Sequence, residues 1–206
     1  MKNKNKLEDS GRRREISGKL KTIVTVIATV FTLFYIYTAK AGVTSPQLNR
    51  GFYVGVTFVL VFLLFPINNK NRKLSWYDYI LISLTVSSIL YFILEFKEMA
   101  FRAGAANKFD IIFGIMLVGL SIEVTRRVTG KALAYIALTF LIYNFAGPYL
   151  PGLLAHSGFS VQRVFSFMFT SLYGIFGSVA QIFSSFVFLF ISDSALWIRL
   201  QWFGGR

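Results

Sequence analysis

The sequence contains no cysteine, one histidine and nine acidic residues among 206. The lack of cysteine excludes disulfides, thiolate nucleophiles and cysteine-ligated metals or clusters. The single histidine, His156, has no carboxylate or second metal ligand near it in sequence, so a catalytic or metal-binding role is a weak interpretation. No nucleophile, base and orienting group come together either. The sequence therefore predicts no enzyme, no catalytic, cofactor or metal site, and it identifies no substrate-binding residue.

Apolar residues dominate what is present, because 55% of the chain is hydrophobic and only 15% is charged. A water-soluble domain needs a more polar surface than this composition supplies. The apolar residues also form blocks about as long as the roughly 20 residues that a helix needs to cross a bilayer. We therefore predict an all-α, polytopic helical membrane protein with about six transmembrane helices.

The formal charge of +13 resembles that of a nucleic-acid-binding protein, but the positions of the basic residues favour membrane topology. They concentrate in the N-terminal tail and in alternate short loops, after the second and fourth apolar blocks, at Lys70, Arg72, Lys73, Arg126, Arg127 and Lys131. Cytoplasmic loops carry such an excess of lysine and arginine. This pattern predicts a cytoplasmic N-terminus, a multi-pass protein of the cell (inner) membrane, and no nucleic-acid partner.

The chain divides into three predicted regions. Residues 1–19 form a basic cytoplasmic tail, mobile or folded as a short surface helix near anionic lipid. Residues 20–125 form a four-helix membrane region, with spans at about 22–39, 52–67, 76–94 and 111–124, where Gly114 and Gly119 offer close helix approach. Residues 126–206 hold a fifth span at about 132–145 and a last segment at about 174–191, either a crossing, which we favour, or a re-entrant piece.

One ionic cluster stands out at the end of the fourth span. Glu123, Arg126 and Arg127 are spaced three and four positions apart, which places them on one helix face. They form either a hinge or coupling element or a helix-end ion pair that anchors the topology. Other polar residues inside spans either line a path or, as we favour, hydrogen-bond between packed helices: Thr85, Ser87, Ser88, Gln181, Ser184 and Ser185.

Three segments carry a specific resemblance: residues 122–130 (IEVTRRVTG), 145–156 (FAGPYLPGLLAH) and 174–177 (GIFG). The middle one contains Gly147, Pro148, Pro151 and Gly152, which break the helix and form what we call the 147–152 turn. In this order and at these distances, the segments resemble the N-terminal part of fused permeases of tripartite ATP-independent periplasmic (TRAP) transporters. The resemblance covers residues 111–191 well and the first three spans only in layout.

The resemblance implies a function for the intact system. Such permeases join a four-helix small subunit to a large one of about twelve helices, and they import organic acids (carboxylates) with a sodium gradient from a soluble, periplasmic substrate-binding protein. The fused form is similar to systems that use the TAXI type of binding protein. The implied partners are the lipid bilayer, the binding protein and the remainder of the large permease.

Two departures from the family pattern modify this expectation. Where the family has a proline-containing stretch after the last glycine, this chain reads Ser178, Val179 and Ala180, and it ends at Arg206 where the family continues. These departures predict a truncated or frame-shifted fragment that lacks the substrate and sodium sites and does not transport alone. The competing interpretation is a non-transporting scaffold or assembly subunit for a separately encoded partner.

Overall fold

The computed structural model describes residues 14, 16–42, 45–67, 74–101, 106–171 and 173–184. Within these residues every regular element is helical, which confirms the all-α prediction. The helices are α1 (Gly18–Ala41), α2 (Pro46–Leu64), α3 (Trp76–Phe101), α4 (Lys108–Val128), α5 (Lys131–Ala146), α6 (Val161–Thr170) and α7 (Ser178–Ile182). Two short 3₁₀ helices, Gly147–Tyr149 and Gly152–Leu154, lie between α5 and α6.

Four of the described segments are long and apolar enough to cross a bilayer: Gly18–Thr38, Pro46–Leu64, Trp76–Met99 and Lys131–Tyr149. The protein is therefore a helical membrane protein. Helix α4 has 21 residues but is not among the four, because Lys108 and Asp110 lie at its start and Glu123, Arg126 and Arg127 at its end. The crossing at 111–124 stays a prediction.

Helices α1–α5 all extend beyond the predicted spans at one end or both, and α2 and α3 extend furthest at a single end. Helix α2 begins at Pro46 and not at residue 52, because proline at the first helical position is already fixed in a helical φ. Helix α3 continues to Phe101 through Glu95, Lys97 and Glu98, where the sequence predicted a loop. Hydropathy marks only where a helix leaves the hydrocarbon, and these charged residues are good helix formers that let it continue.

The last predicted span is wrong at its start. Residues 174–177 form a turn, and helix α7 begins only at Ser178. The predicted positions from Ser185 to residue 191 lie outside the described residues. The predicted helix start at Gly174 is therefore wrong by four residues, because residues 174–177 form a turn inside the bundle.

The core lies between α2, α3, α4, α6 and the 174–177 turn. Its fully buried side chains include Phe62, Leu117, Phe169 and Phe176. The ring of Phe176 stacks on that of Phe92 of α3, with 4.1 Å between their centroids. The turn is therefore part of the same core as the first four helices, although it lies in the region that the sequence assigned separately.

A glycine of α4 makes the close approach of α6 possible. A Cβ atom on Gly114 would lie 2.6 Å from the carbonyl oxygen of Phe165, whereas nothing lies within 4 Å of a Cβ on Gly119. Both glycines were predicted to permit close packing, and the structure shows it for Gly114 only. Gly119 lies on a more open side of the same helix.

The helices alternate in direction, so that helix ends meet at two faces of the bundle. The starts of α1, α3 and α5 and the ends of α2 and α4 lie together, at what we call the basic face. The opposite face holds the starts of α2, α4 and α6. There, Tyr35 of α1 donates its hydroxyl hydrogen to the carbonyl oxygen of Asn49, and Tyr91 of α3 donates to Asp110 at the start of α4.

Candidate functional site

The basic face contains a buried carboxylate in the first turn of α3. Asp78 is 0% exposed, and its Oδ2 accepts hydrogen bonds from the Nη2 of Arg14 at 2.8 Å and the backbone N–H of Ser75 at 3.1 Å. Its Oδ1 accepts from the Nη1 of Arg127 at 2.7 Å. Asp78 lies in the first turn of the third predicted span, where the sequence predicts only a favourable interaction of the carboxylate with the helix dipole. The structure shows two buried guanidinium groups paired with one carboxylate.

Both arginines also bind the end of α2, which Pro66 terminates. The backbone N–H of Arg14 donates to the carbonyl oxygen of Leu64, and its Nη1 donates to that of Leu63 at 2.9 Å. The Nη1 of Arg127 donates to the carbonyl oxygen of Phe65 at 2.9 Å. The last carbonyl groups of a helix have no partner within the helix and carry partial negative charge. Two cations therefore stabilise this helix end.

The predicted cluster continues this arrangement. Glu123 accepts from the Nε of Arg126 at 2.7 Å and from the Nε of Arg127 at 2.8 Å. Arg127 thus joins both carboxylates, and the series Arg14, Asp78, Arg127, Glu123 and Arg126 forms what we call the buried ion network. Its three cations and two anions link the N-terminal segment, α2, α3 and α4.

The network corrects the prediction for the tail at one residue. Arg14 was placed in a mobile tail or surface helix, yet its side chain is only 1% exposed. Burial of a guanidinium is costly unless a carboxylate and other acceptors compensate it, and Asp78 with the α2 carbonyl groups does so. Arg14 is therefore part of the folded bundle.

A second polar contact lies at the opposite face. Arg50, in the second turn of α2, is 8% exposed; its Nη1 donates to the carbonyl oxygen of Phe176 at 3.2 Å and its Nη2 to the Oε1 of Gln181 at 2.6 Å. Within the described residues Arg50 forms no ion pair. It binds neutral oxygens of the segment after α6. We call this contact the Arg50 clamp.

The 174–177 turn is held from both sides. The N–H of Ile175 donates to the carbonyl oxygen of Met168 at 3.0 Å, and that of Gly177 donates to Gly174 at 3.0 Å. A Cβ on Gly174 would collide with the carbonyl oxygen of Met168. Glycine is thus required where the turn folds back against α6, and the Arg50 clamp fixes the other side.

The 147–152 turn has an internal structure centred on His156. The N–H of Gly158 donates to the Nδ1 of His156 at 3.0 Å, and the Nε2 lies 3.1 Å from the carbonyl oxygen of Tyr143. An accepting Nδ1 puts the ring hydrogen on Nε2, which donates to Tyr143. The ring also packs against Gly147, where a Cβ would collide with it. His156 thus closes the loop onto the end of α5.

Three further residues of this turn define its shape. Pro148 is part of the first 3₁₀ helix, and Pro151 precedes the second. Gly152 has a φ of 63°, in the left-handed region that favours glycine. The predicted helix break is confirmed, and the two 3₁₀ helices carry the chain from α5 toward α6.

Polar side chains inside helices donate hydrogen bonds to backbone carbonyl oxygens of the same helix. The hydroxyl of Thr85 donates to the carbonyl oxygen of Leu81, and that of Ser88 to Leu84, both at 2.8 Å. Both residues are fully buried. A groove of about 260 Å³ between α1, α2 and α3 has Thr85 as the polar residue among its described lining. The predicted hydrogen bonds between helices are therefore wrong for Thr85 and Ser88, because each hydroxyl donates to a carbonyl oxygen one turn earlier in its own helix.

The structure has two sets of polar contacts, the buried ion network and the Arg50 clamp. The sequence predicted only part of the first, at Glu123, Arg126 and Arg127. No described group of three histidine or acidic residues could hold a metal ion. A comparison with protein-family models, curated proteins and solved structures finds no match to this chain. The geometry joins segments that are distant in sequence at two faces of the bundle. The buried ion network at one face joins the N-terminal segment to α2, α3 and α4, and the Arg50 clamp at the other joins α2 to the 174–177 turn and α7.

Replacing Arg50 tests whether its clamp holds the 174–177 turn in the bundle. We expect Arg50→Met to raise hydrogen exchange at the amides of residues 175–182 about tenfold or more, because a hydrogen bond to a charged group contributes about 1.5–3 kcal/mol. Hydrogen exchange with mass spectrometry on the detergent-purified protein measures this. Lys108→Met removes an exposed cation from the same face and should leave those amides unchanged; equal exchange in Arg50→Met and the wild type would contradict the clamp.

Proposed function

We propose that this chain is a membrane component of a TRAP-type secondary transporter, which imports organic acids with a sodium gradient and an extracytoplasmic binding protein. The proposal rests on the resemblance and on the folding of its two turns. The 147–152 turn and the 174–177 turn bracket α6, and in each a glycine lies where a side chain would collide with a neighbour. At two of the positions that carry the resemblance, Gly147 and Gly174, the fold therefore requires glycine.

One observation supports a role in coupling more than any other. Phe176 of the 174–177 turn is fully buried against Phe92 of α3. The small-subunit-like region and the start of the large permease region thus share a core. In this proposal, α1–α4 are a scaffold that positions the first elements of the permease, and transport requires the large permease region as partner.

The alternative is a non-transporting scaffold for a different partner. It is favoured by how the charges of the ion network are used, since Arg14 and Arg127 both pair with Asp78, and Arg127 also pairs with Glu123. A charge used in this way stabilises the assembly and does not bind a substrate. The two proposals differ in whether organic-acid uptake depends on the chain.

Uptake by cells that produce the protein tests the proposal. We expect deletion of its gene to abolish sodium-dependent uptake of at least one acid in a panel of radiolabelled mono- and dicarboxylates. The wild-type gene and the exposed-site variant Lys97→Gln should restore uptake. Unchanged uptake in the deletion strain would overturn the proposal and leave the scaffold alternative.

Reconstitution separates the role of the partner. Proteoliposomes that contain only this chain and its binding protein should show no sodium-dependent uptake. Uptake at the rate of the complete system would disprove the need for the large permease region, while the assignment to organic-acid transport would stand.

A further inference from the structure

A groove lies between the end of α5 and the first turns of α6, at the opposite face. Its volume is about 340 Å³, within the range of pockets that bind small organic molecules, about 300–1,000 Å³. Its walls are mainly apolar, and it is lined by Asn144, Phe159, Arg163, Val164, Phe167 and Met168. In a membrane protein, a groove of this composition at a helix end adjoins both hydrocarbon and headgroups.

The mouth of the groove carries a cation. Arg163 is exposed in the first turn of α6, and its guanidinium lies over the ring of Phe159, 5.6 Å from the centroid. A guanidinium that lies over an aromatic ring still has its N–H groups available to bind an anion at the edge of the planar group. Within the part of the chain that the structure describes, Arg163 forms no ion pair.

Two hydrogen bonds of the backbone fix the start of α6, which carries Arg163. The backbone N–H of Arg163 donates to the Oγ of Ser160, which caps α6. The N–H of Phe159 donates to the carbonyl oxygen of Asn144 at 3.0 Å, which ties the start of α6 to the end of α5. These bonds fix the backbone of Arg163 relative to the end of α5, which forms part of the groove wall.

We propose that this groove binds an anionic phospholipid, with the headgroup phosphate on Arg163 and an acyl chain along Val164, Phe167 and Met168. Charge selects the headgroup, because a guanidinium binds phosphate oxygens through two parallel N–H groups. The apolar walls of the groove favour an acyl chain over a polar group. A site with both features fits an amphiphile of negative charge better than a neutral lipid or a small hydrophilic anion. The proposal does not depend on the transport function.

Lipid retention in native mass spectrometry tests this site on the full-length protein in detergent. Phosphatidylglycerol and phosphatidylcholine with identical acyl chains are added in equal amounts. We expect about fivefold greater retention of phosphatidylglycerol, because one basic residue near a lipid surface contributes about 1 kcal/mol. Arg163→Gln should reduce the ratio to about one, and Arg163→Lys should keep most of it.

A matched control removes another exposed cation of the same face. Lys108→Gln should leave the phosphatidylglycerol preference unchanged. An unchanged preference in Arg163→Gln, or equal retention of the two lipids by the wild type, would overturn the proposal.

Competition distinguishes the possible sources of the anion. Glycerol phosphate, which has the headgroup chemistry without acyl chains, should not displace phosphatidylglycerol at millimolar concentration. Displacement by glycerol phosphate or by a soluble dicarboxylate would show a site for small anions and would contradict the lipid assignment.

Discussion

Asp78→Asn should lower the unfolding temperature of the detergent-purified protein by roughly 10 °C, the largest effect that we expect from a single substitution. The variant keeps the shape of the side chain but leaves Arg14 and Arg127 buried without their shared carboxylate. Breaking a buried ion pair on one side costs about 3–5 kcal/mol, and each kcal/mol corresponds to about 2–4 °C in a protein of this size. Thermal unfolding followed by size-exclusion chromatography measures the shift.

The control for this prediction lies on the same helix. Lys97→Gln removes one charge from an exposed position of α3 and should shift the unfolding temperature by no more than about 2 °C. In the double variant Arg14→Gln with Asp78→Asn, the loss should be smaller than the sum of the two single losses, because each removes the same interaction. Strict additivity would show that Arg14 and Asp78 do not interact in the protein.

Gly114→Ala and Gly119→Ala should have opposite effects, although they are the same substitution in the same helix. At Gly114 the new Cβ would lie 2.6 Å from the carbonyl oxygen of Phe165, so α6 must move away. Overpacking of this kind costs about 1–3 kcal/mol. At Gly119 the Cβ meets nothing within 4 Å, and alanine in a helix gains about 0.5–1 kcal/mol over glycine.

Unfolding temperature and proteolysis together measure this pair. Gly114→Ala should lower the unfolding temperature by several degrees and expose α6 to cleavage, while Gly119→Ala should match or exceed the wild type. Equal stability of the two variants would show that α6 does not pack on Gly114. The comparison needs no further control, because intrinsic helix propensity is the same at both positions.

Hydropathy was sufficient to find the helices, because the bilayer imposes length and apolarity on each span. Each of the helices α1–α5 overlaps a predicted run, although α2 ends at Leu64, before the predicted end at residue 67, and the break after α5 was predicted from Pro148 and Pro151. The ends were less accurate because charged residues such as Glu95 are compatible with a helix outside the hydrocarbon. The 174–177 turn was missed because its residues are as apolar as a span.

The buried ion network shows where a single sequence has no signal. The spacing of Glu123, Arg126 and Arg127 predicted their pairing, since a helix brings positions three and four apart together. Asp78 is 49 positions from Arg127 and 64 from Arg14. The alternation of spans places these residues at one face, but many polar residues share that face. Only the packing of α2, α3 and α4 decides which of them meet.

The Arg50 clamp was missed for a related reason. Arg50 was assigned to the short loop between the first two predicted spans, and its partners lie 126 and 131 positions later. Similarly, Gly114 and Gly119 are equivalent in sequence, and only the position of α6 distinguishes them. Contacts between distant segments are the part of this fold that hydropathy and helix spacing leave undetermined.

The insertion of Phe176 into the core has a consequence for biogenesis. The ribosome synthesises α1–α4 well before residue 176. The position that Phe176 fills beside Phe92 therefore stays unfilled until the 174–177 turn has been synthesised. Because chains are synthesised from the N-terminus onward, the first four helices are incompletely packed during this interval. Quality-control proteases can recognise such a state. Maturation of the early helices is thereby tied to synthesis of a segment that lies beyond all of them in the chain.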